Sequence, residues 1–228
     1  MSISIIIPVF NEEQHVKKSL SKLLNVKFPV PTEYVIIDDA STDKSYKILE
    51  ILAKKNKKIK LIKNKKNIGK SGSVIWGLNL AKNDILTIHD SDLEYDPNDL
   101  LVLYNSLIKL GCNNAIYGSR FLKKETNWII PLHYLGNIFL SNMLKILYSC
   151  NITDMETCYK MFYKKDISDI TLKSQKFDFE PEITIKLIKK GIKIHEIPIS
   201  YFPRKFSEGK KINFIDGFRA LKLMIQLR

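Results

Sequence analysis

Residues 86–97 read LTIHDSDLEYDP: an apolar run ends at Ile88, and carboxylates follow at Asp90, Asp92, Glu94 and Asp96. In an extended segment alternate side chains point the same way, so Asp90, Asp92 and Glu94 would share one face. Carboxylates that close repel each other unless a cation sits between them. Asp-x-Asp oxygens suit Mg2+ or Mn2+, hard ions that keep positions open for substrate phosphates. The same run also reads as a solvated acidic turn before Pro97. These acids stand out because the chain is basic, with Lys+Arg 37 against Asp+Glu 24 over 228 residues and a formal charge of +13. That balance favours anionic partners such as nucleic acid, an acidic membrane face or phosphorylated substrates. Most of the cations are lysines, and a biased composition accounts for them equally well.

Other stretches carry the same kind of chemistry. In IIIPVFNEE (5–13), Pro8 and Phe10 can wall a nucleotide while Glu12 takes a hydroxyl. In VIIDDASTD (35–43), Ser41 or Thr42 can cap a following helix, and Asp39 can accept hydrogen bonds from a base or a ribose. NIGKSG (67–72) is not a P-loop, because position 64 is Asn where that motif needs Gly. Its glycines suit a tight turn before a helix N-terminus. GSRF (118–121) places Arg120 after a strand, where it can pair with phosphate charge or with a surface acid. TDMETCYK (153–160) and FEPE (179–182) bring more acids and a lysine, with Cys158 reading as buried filler. EIPISYFPRKFSEGKKI (196–212) ends in a basic segment that is either a solvated charge run or a phosphate-binding flap.

Elements must carry these residues. Ile3–Val9, Tyr34–Ile37, Ile59–Ile62 and Ile85–Ile88 read as buried strands. Helical periodicity covers 12–24, 43–54 and 71–81 between them. Alternation of this kind predicts an α/β sheet with right-handed crossovers, whose ligands bind at the carboxyl ends of the strands. Asn11-Glu12, Asp38-Asp39 and Asp90-Ser91-Asp92 all fall at such ends. Further on, 99–109, 134–148, 181–190 and 214–227 read as helices, the last one basic and amphipathic; 115–117, 162–163 and 193–199 read as strands, and 122–133 as a mobile loop. With no repeat or flexible linker, one domain is expected over 1–228: a nucleotide-binding half to residue 95 and an acceptor half from residue 96.

Three cysteines without a CxxC, Cys112, Cys150 and Cys158, argue against a disulfide scaffold and for a reducing compartment. MSISIIIPVF does not read as a secretory leader, and no apolar window is long enough for a transmembrane span, so any membrane contact is expected to be peripheral. The basic residues are not interleaved with aromatics as stacking platforms require, so nucleic acid is not an expected partner.

Taken in order, PVFNE, IIDDASTD, NIGKSG, HDSDLEYDP, GSRF, TDMETCYK, FEPE and PISYFPRKFSEGKKI resemble family two of the A-type glycosyltransferases, in particular the dolichol-phosphate mannosyltransferase-like branch. The resemblance implies a single GT-A domain, Rossmann-like, with a mixed and mainly parallel sheet. It implies inverting transfer from a nucleotide-diphospho-sugar of GDP-mannose or UDP-glucose type to a polyprenyl phosphate. Pro8, Phe10, Glu12, Ile37, Asp39, Lys70, Asp90, Ser91 and Asp92 would bind the nucleotide sugar, and Asp90, Asp92 and Glu94 a divalent metal, Mg2+ or Mn2+. Asp92, Arg120, Arg204 and Lys210 would serve catalysis, with Arg120, His133, Arg204 and Lys210 the candidates for the acceptor phosphate. The implied setting is cytoplasmic, peripheral on an anionic membrane face. A phosphate monoester, with a second pKa of about 6, needs no strong base, whereas a glycan or protein hydroxyl would need one, for which Asp154 and Glu180 are the candidates. A non-catalytic nucleotide-sugar or nucleic-acid binding protein is the remaining alternative.

Overall fold

The computed structural model describes residues 1–123, 131–174, 178–204 and 214–228. The β-branched run Ile3–Val9 forms β1, and Thr32–Asp38, Ile59–Lys63 and Ile85–Ile88 form β2, β3 and β4. Helices α1 (Val16–Asn25), α2 (Ser45–Lys55) and α3 (Gly69–Leu80) connect them. The second half holds α4 (Asp99–Leu110), β5 (Asn114–Ser119), α5 (Pro131–Tyr148), β6 (Lys160–Tyr163), α6 (Lys164–Ile167), α7 (Phe179–Lys189), β7 (Lys193–Pro198) and α8 (Phe214–Gln226). Among the described residues the strands form a single sheet in the order β3-β2-β1-β4-β6-β5-β7. Strand β6 is antiparallel to both β4 and β5, and the remaining pairs are parallel. The expected mixed, mainly parallel α/β sheet is therefore what forms.

This topology decides where the chemistry lies. The carboxyl ends of β1, β2, β4, β5 and β7 share one edge, and antiparallel β6 starts at that edge. The motifs after five strands and the TDMETCY segment before the sixth thus meet along one rim. The N-terminus of α7 joins them, since the Phe179 amide donates to Ser71 Oγ in α3.

Helix α3 lies tightly on the sheet at Gly77, where a Cβ would come 2.5 Å from Ile6 Cγ2. Ile37 lies under the same glycine and is 0% exposed. Both sheet faces are covered here and the Ile37 side chain belongs to the core, so a nucleotide could meet this residue only through its backbone.

Several boundaries move. Helix α1 starts at Val16, because Asn11 takes a positive φ of 51° and turns Glu12 out of the helix. Neither Ser41 nor Thr42 caps α2: Ser41 Oγ accepts from the Asn11 amide, and the Thr42 amide donates to Asn11 Oδ1. The α2 entry is held instead by Asp43, which accepts from the Ser45 amide, and by Glu13, which accepts from the Lys44 amide. Of the loop expected over 122–133, residues 124–130 lie outside the described residues, and the remainder from Pro131 belongs to α5.

Candidate active site

The acidic run after β4 is a turn, not an extended strand. Leu93 takes a φ of 66°, and the Glu94 amide folds back onto Asp92 Oδ1. The three carboxylates therefore take different hydrogen-bond partners. Asp90 accepts from Lys70 Nζ at 2.9 Å. Asp92 Oδ2 accepts from Arg204 Nη2 at 3.1 Å. Glu94 accepts from the Tyr201 hydroxyl at 2.7 Å and from the Arg204 amide at 3.0 Å. The expectation of one shared face is corrected on that ground, and among the described residues no cluster of three acid, His or Cys side chains is placed to hold a metal. Glu94 works as the anchor that ties the segment after β7 to the turn after β4.

Two carboxylates still face the rim. Burial, then Glu94 and Asp90, push Asp92 up to about 7. Burial would also raise Asp90, but the Lys70 ammonium outweighs it and holds Asp90 below the usual carboxylate range. Lys70, in the first turn of α3, also pairs with Glu180 of α7 at 3.1 Å. The thiol of Cys158 hydrogen-bonds Asp90, and burial pushes it well above an ordinary cysteine, so it is inert.

The loops after β1 and β2 build the part of the rim expected to take the nucleoside. The Glu12 amide donates to Ser45 Oγ, and its carboxylate takes His15 Nδ1 and Arg204 Nη1, both at 3.1 Å. Asp39 accepts from Asn64 and from the Ile68 and Gly69 amides, which fixes the N-terminus of α3. A base or ribose would have to share those oxygens. Ser91 donates to the Pro8 carbonyl and braces the two strand ends. Pro8 and Phe10 are half-buried at this rim.

The second half of the chain converges on Arg120. Its Nε and Nη2 bind Asp154 side-on, both at 2.7 Å, and its amide donates to the same carboxylate. The guanidinium lies over the rings of Tyr201 and Tyr95, 5.1 and 6.0 Å from their centres. Asp154 is 0% exposed and also accepts from Asn137 of α5. Burial would raise it, but Arg120 and Asn137 hold it below the usual range. Its amide donates to Glu196 of β7. Lys160, at the start of β6, donates to the Met155 and Thr157 carbonyls and shapes the TDMETCY segment.

Arg204 spans the halves, reaching Glu12 and Asp92 with Nε 3.6 Å from Glu94. Lys210 and the side chain of His133 lie outside the described residues. Three partners of the site were not expected: Asn137, Tyr201 and Glu196. Asn137 carries a faint signal as a polar residue inside the apolar run GNIFLSN; Tyr201 and Glu196 carry none, because their roles arise from contacts distant in the chain.

A mainly parallel sheet with an Asp-x-Asp turn at its carboxyl edge, faced by cations from a second half, defines an A-type glycosyltransferase. Residues 4–171 match Glycosyl transferase family 2, and the chain belongs to that family. It is 26% identical to a UDP-N-acetylglucosamine–dolichyl-phosphate N-acetylglucosaminyltransferase of Methanococcus voltae, over 99% of this chain and 96% of that protein. It is 28% identical to a dolichol-phosphate mannosyltransferase of Pyrococcus furiosus, over 92% of this chain and 59% of that protein. The fold is shared with glucosyl-3-phosphoglycerate synthase from Mycobacterium tuberculosis, solved with Mn2+, UDP and phosphoglyceric acid. That match has a TM-score of 0.73 and 13% identity, and covers 99% of this chain and 78% of that one.

Proposed function

We propose that this glycosyltransferase moves a sugar, with inversion, from a nucleotide-diphospho-sugar of GDP-mannose or UDP-glucose type to a polyprenyl phosphate. The observation that carries the acceptor is the state of the two acids a hydroxyl acceptor would need. Asp154 is locked on Arg120 and Asn137, and Glu180 is paired with Lys70. A phosphate monoester is already ionised near neutral pH, with its second pKa about 6, and asks for cations rather than a base. Arg120 and Arg204 supply them. The names of the two dolichyl-phosphate relatives support the same reading.

The site suits a divalent cation at Asp90 and Asp92. Two carboxylates match a hard ion that shares substrate phosphates, and Asp92 is pushed up to about 7 by burial and its acidic neighbours even with Arg204 and the Glu94 amide against it. The Mn2+ in the structural neighbour agrees with this. Such an ion supplies Lewis-acid stabilisation of the leaving diphosphate. The chain does the rest. Lys70 orients Asp90, and Arg204 shifts charge toward the reacting phosphates. Arg120, held by Asp154 and the tyrosine rings, fixes the acceptor. The acceptor oxygen attacks the anomeric carbon from the face opposite the diphosphate, the bond to the diphosphate breaks, and no proton need move.

An acceptor with a lipid tail requires a membrane face. Leu135, Phe139 and Ile146 of α5 and Phe218 and Ile225 of α8 are exposed. The two helices pack together, with exposed Lys145, Lys222 and Arg228 nearby in sequence. We read this surface as a peripheral contact with an anionic membrane. No helix among the described residues is long and apolar enough to cross one. Flotation with vesicles containing anionic lipid is the check: Phe139→Ser with Phe218→Ser should stay at the bottom of the gradient where wild type floats, and equal flotation refutes the contact.

The reaction is tested by transfer of labelled sugar from GDP-mannose, UDP-glucose and UDP-N-acetylglucosamine onto a polyprenyl phosphate, with Mg2+, with Mn2+ and with chelator. Lipid-linked product that needs metal is expected. Metal-dependent donor hydrolysis without lipid product would refute the acceptor, and transfer undiminished by chelator would refute the metal.

A further inference from the structure

One carboxyl at the rim has no task in the account so far. Glu156 precedes β6, and its amide donates weakly to Asn137 Oδ1 at 3.5 Å. Its Oε1 is sealed from solvent and has no hydrogen-bond partner, while the residue as a whole is only half-buried. Part of the residue therefore reaches solvent, although this oxygen does not. A buried carboxyl oxygen left unpaired costs about 1–3 kcal/mol, so such a group calls for a partner that the chain itself does not supply.

Its surroundings say which partner. The charged groups that act on it are Glu180 from α7, Lys160 from β6, Arg120 from the end of β5 and Asp154 from its own segment. Glu180 is tied through Lys70 to Asp90, on the donor diphosphate side. Arg120 stands on the acceptor side. In the chain Glu156 stands two residues after Asp154, which binds Arg120, and two before Cys158, which meets Asp90, so on that reading it stands on the segment that links the acceptor and donor sides, where the transferred sugar would sit. Resting on the donor and acceptor reading above, we propose that Glu156 recognises the transferred hexose by hydrogen bonding one of its ring hydroxyls. Burial, then Glu180, push Glu156 up to about 8, so at neutral pH it keeps its proton and can both donate to a hydroxyl and accept from it.

Equilibrium binding without acceptor is the test, with Mn2+ present and three pairs of probes: GDP-mannose with GDP, UDP-glucose with UDP, and UDP-N-acetylglucosamine with UDP. Glu156→Leu, close in volume but without polar atoms, should weaken the sugar nucleotide that wild type binds about tenfold and leave the matching diphosphate unchanged. Glu156→Gln should stay close to wild type for both. A residue acting only as a base would leave all these affinities alone, and a purely structural one would lower sugar nucleotide and diphosphate together; either result overturns the proposal. Glu156→Ala carries the same comparison if the leucine variant melts early. Wild type that binds none of the three donors would overturn the donor reading and this one with it, whereas wild-type discrimination left intact in both Glu156→Leu and Glu156→Ala overturns this one alone.

Discussion

The two halves of the molecule reach the same rim by different means. In the donor half, parallel β1, β2 and β4 place Glu12, Asp39 and Asp90 one to three residues past their ends, and backbone amides or a neighbouring helix hold them. In the second half, Arg120 and Arg204 arrive from separate segments and are held by other side chains, with Asp154, Asn137, Tyr201 and Glu94 as the ties. Strand topology builds the first half of the site; a buried polar network builds the second. Loss of a single side chain should cost less folding stability in the first than in the second.

Asp92→Ala sets one extreme. It removes a carboxylate from a turn, so transfer should fall by roughly 10²–10³-fold with a melting temperature near wild type. A melt shifted as far as that of an Asp154 variant would break the contrast. Asp154→Ala sets the other extreme, since it strands the Arg120 charge in a buried site. A loss of about 3–5 kcal/mol in urea unfolding is expected, against about 1–3 kcal/mol for Asp39→Ala, whose partners are amides and Asn64. Equal costs at the two sites would mean that the halves do not differ as described. Gly77→Ala sharpens the donor side: its Cβ would meet Ile6 Cγ2 at 2.5 Å, and overpacking of this kind costs about 1–3 kcal/mol. A neutral substitution would show that α3 can lift from the sheet without loss.

The smallest effect is a pH dependence. The native state holds a proton on Glu156 up to about 8, while the unfolded chain releases it near the ordinary glutamate value. The folded pKa is the higher one, so wild type loses stability as pH rises through that interval. Glu156→Gln cannot titrate. Its melting temperature relative to wild type should therefore be flat below the ordinary glutamate range and climb as pH approaches 8. A difference independent of pH would refute the assignment of that proton.

What the sequence showed follows the same division. Runs such as IIIPV and ILTI marked buried strands, and acids just past them marked the rim, because strand direction alone carries a residue to the carboxyl edge. The burial of Ile37 under Gly77 of α3 could not be read locally, because it is made by a helix 40 residues on. The shared face of Asp90, Asp92 and Glu94 failed at Leu93, whose positive φ no local pattern announced. Arg120 was recognisable as a cation after a strand, but not its partner Asp154, 34 residues on, and Asn137 was hidden in an apolar helix. Pairings made across the chain leave no local spacing to read.

On the proposed reading, the acceptor is a phosphate met by cations and not a hydroxyl met by a base. The direct measurement is turnover of the wild-type enzyme with one donor and two acceptors that differ only in the terminal group, a polyprenyl phosphate and the corresponding polyprenol. A glycosylated lipid is expected from the phosphate and none from the alcohol. Comparable turnover on the alcohol would contradict it, and would return the search to a base at the rim.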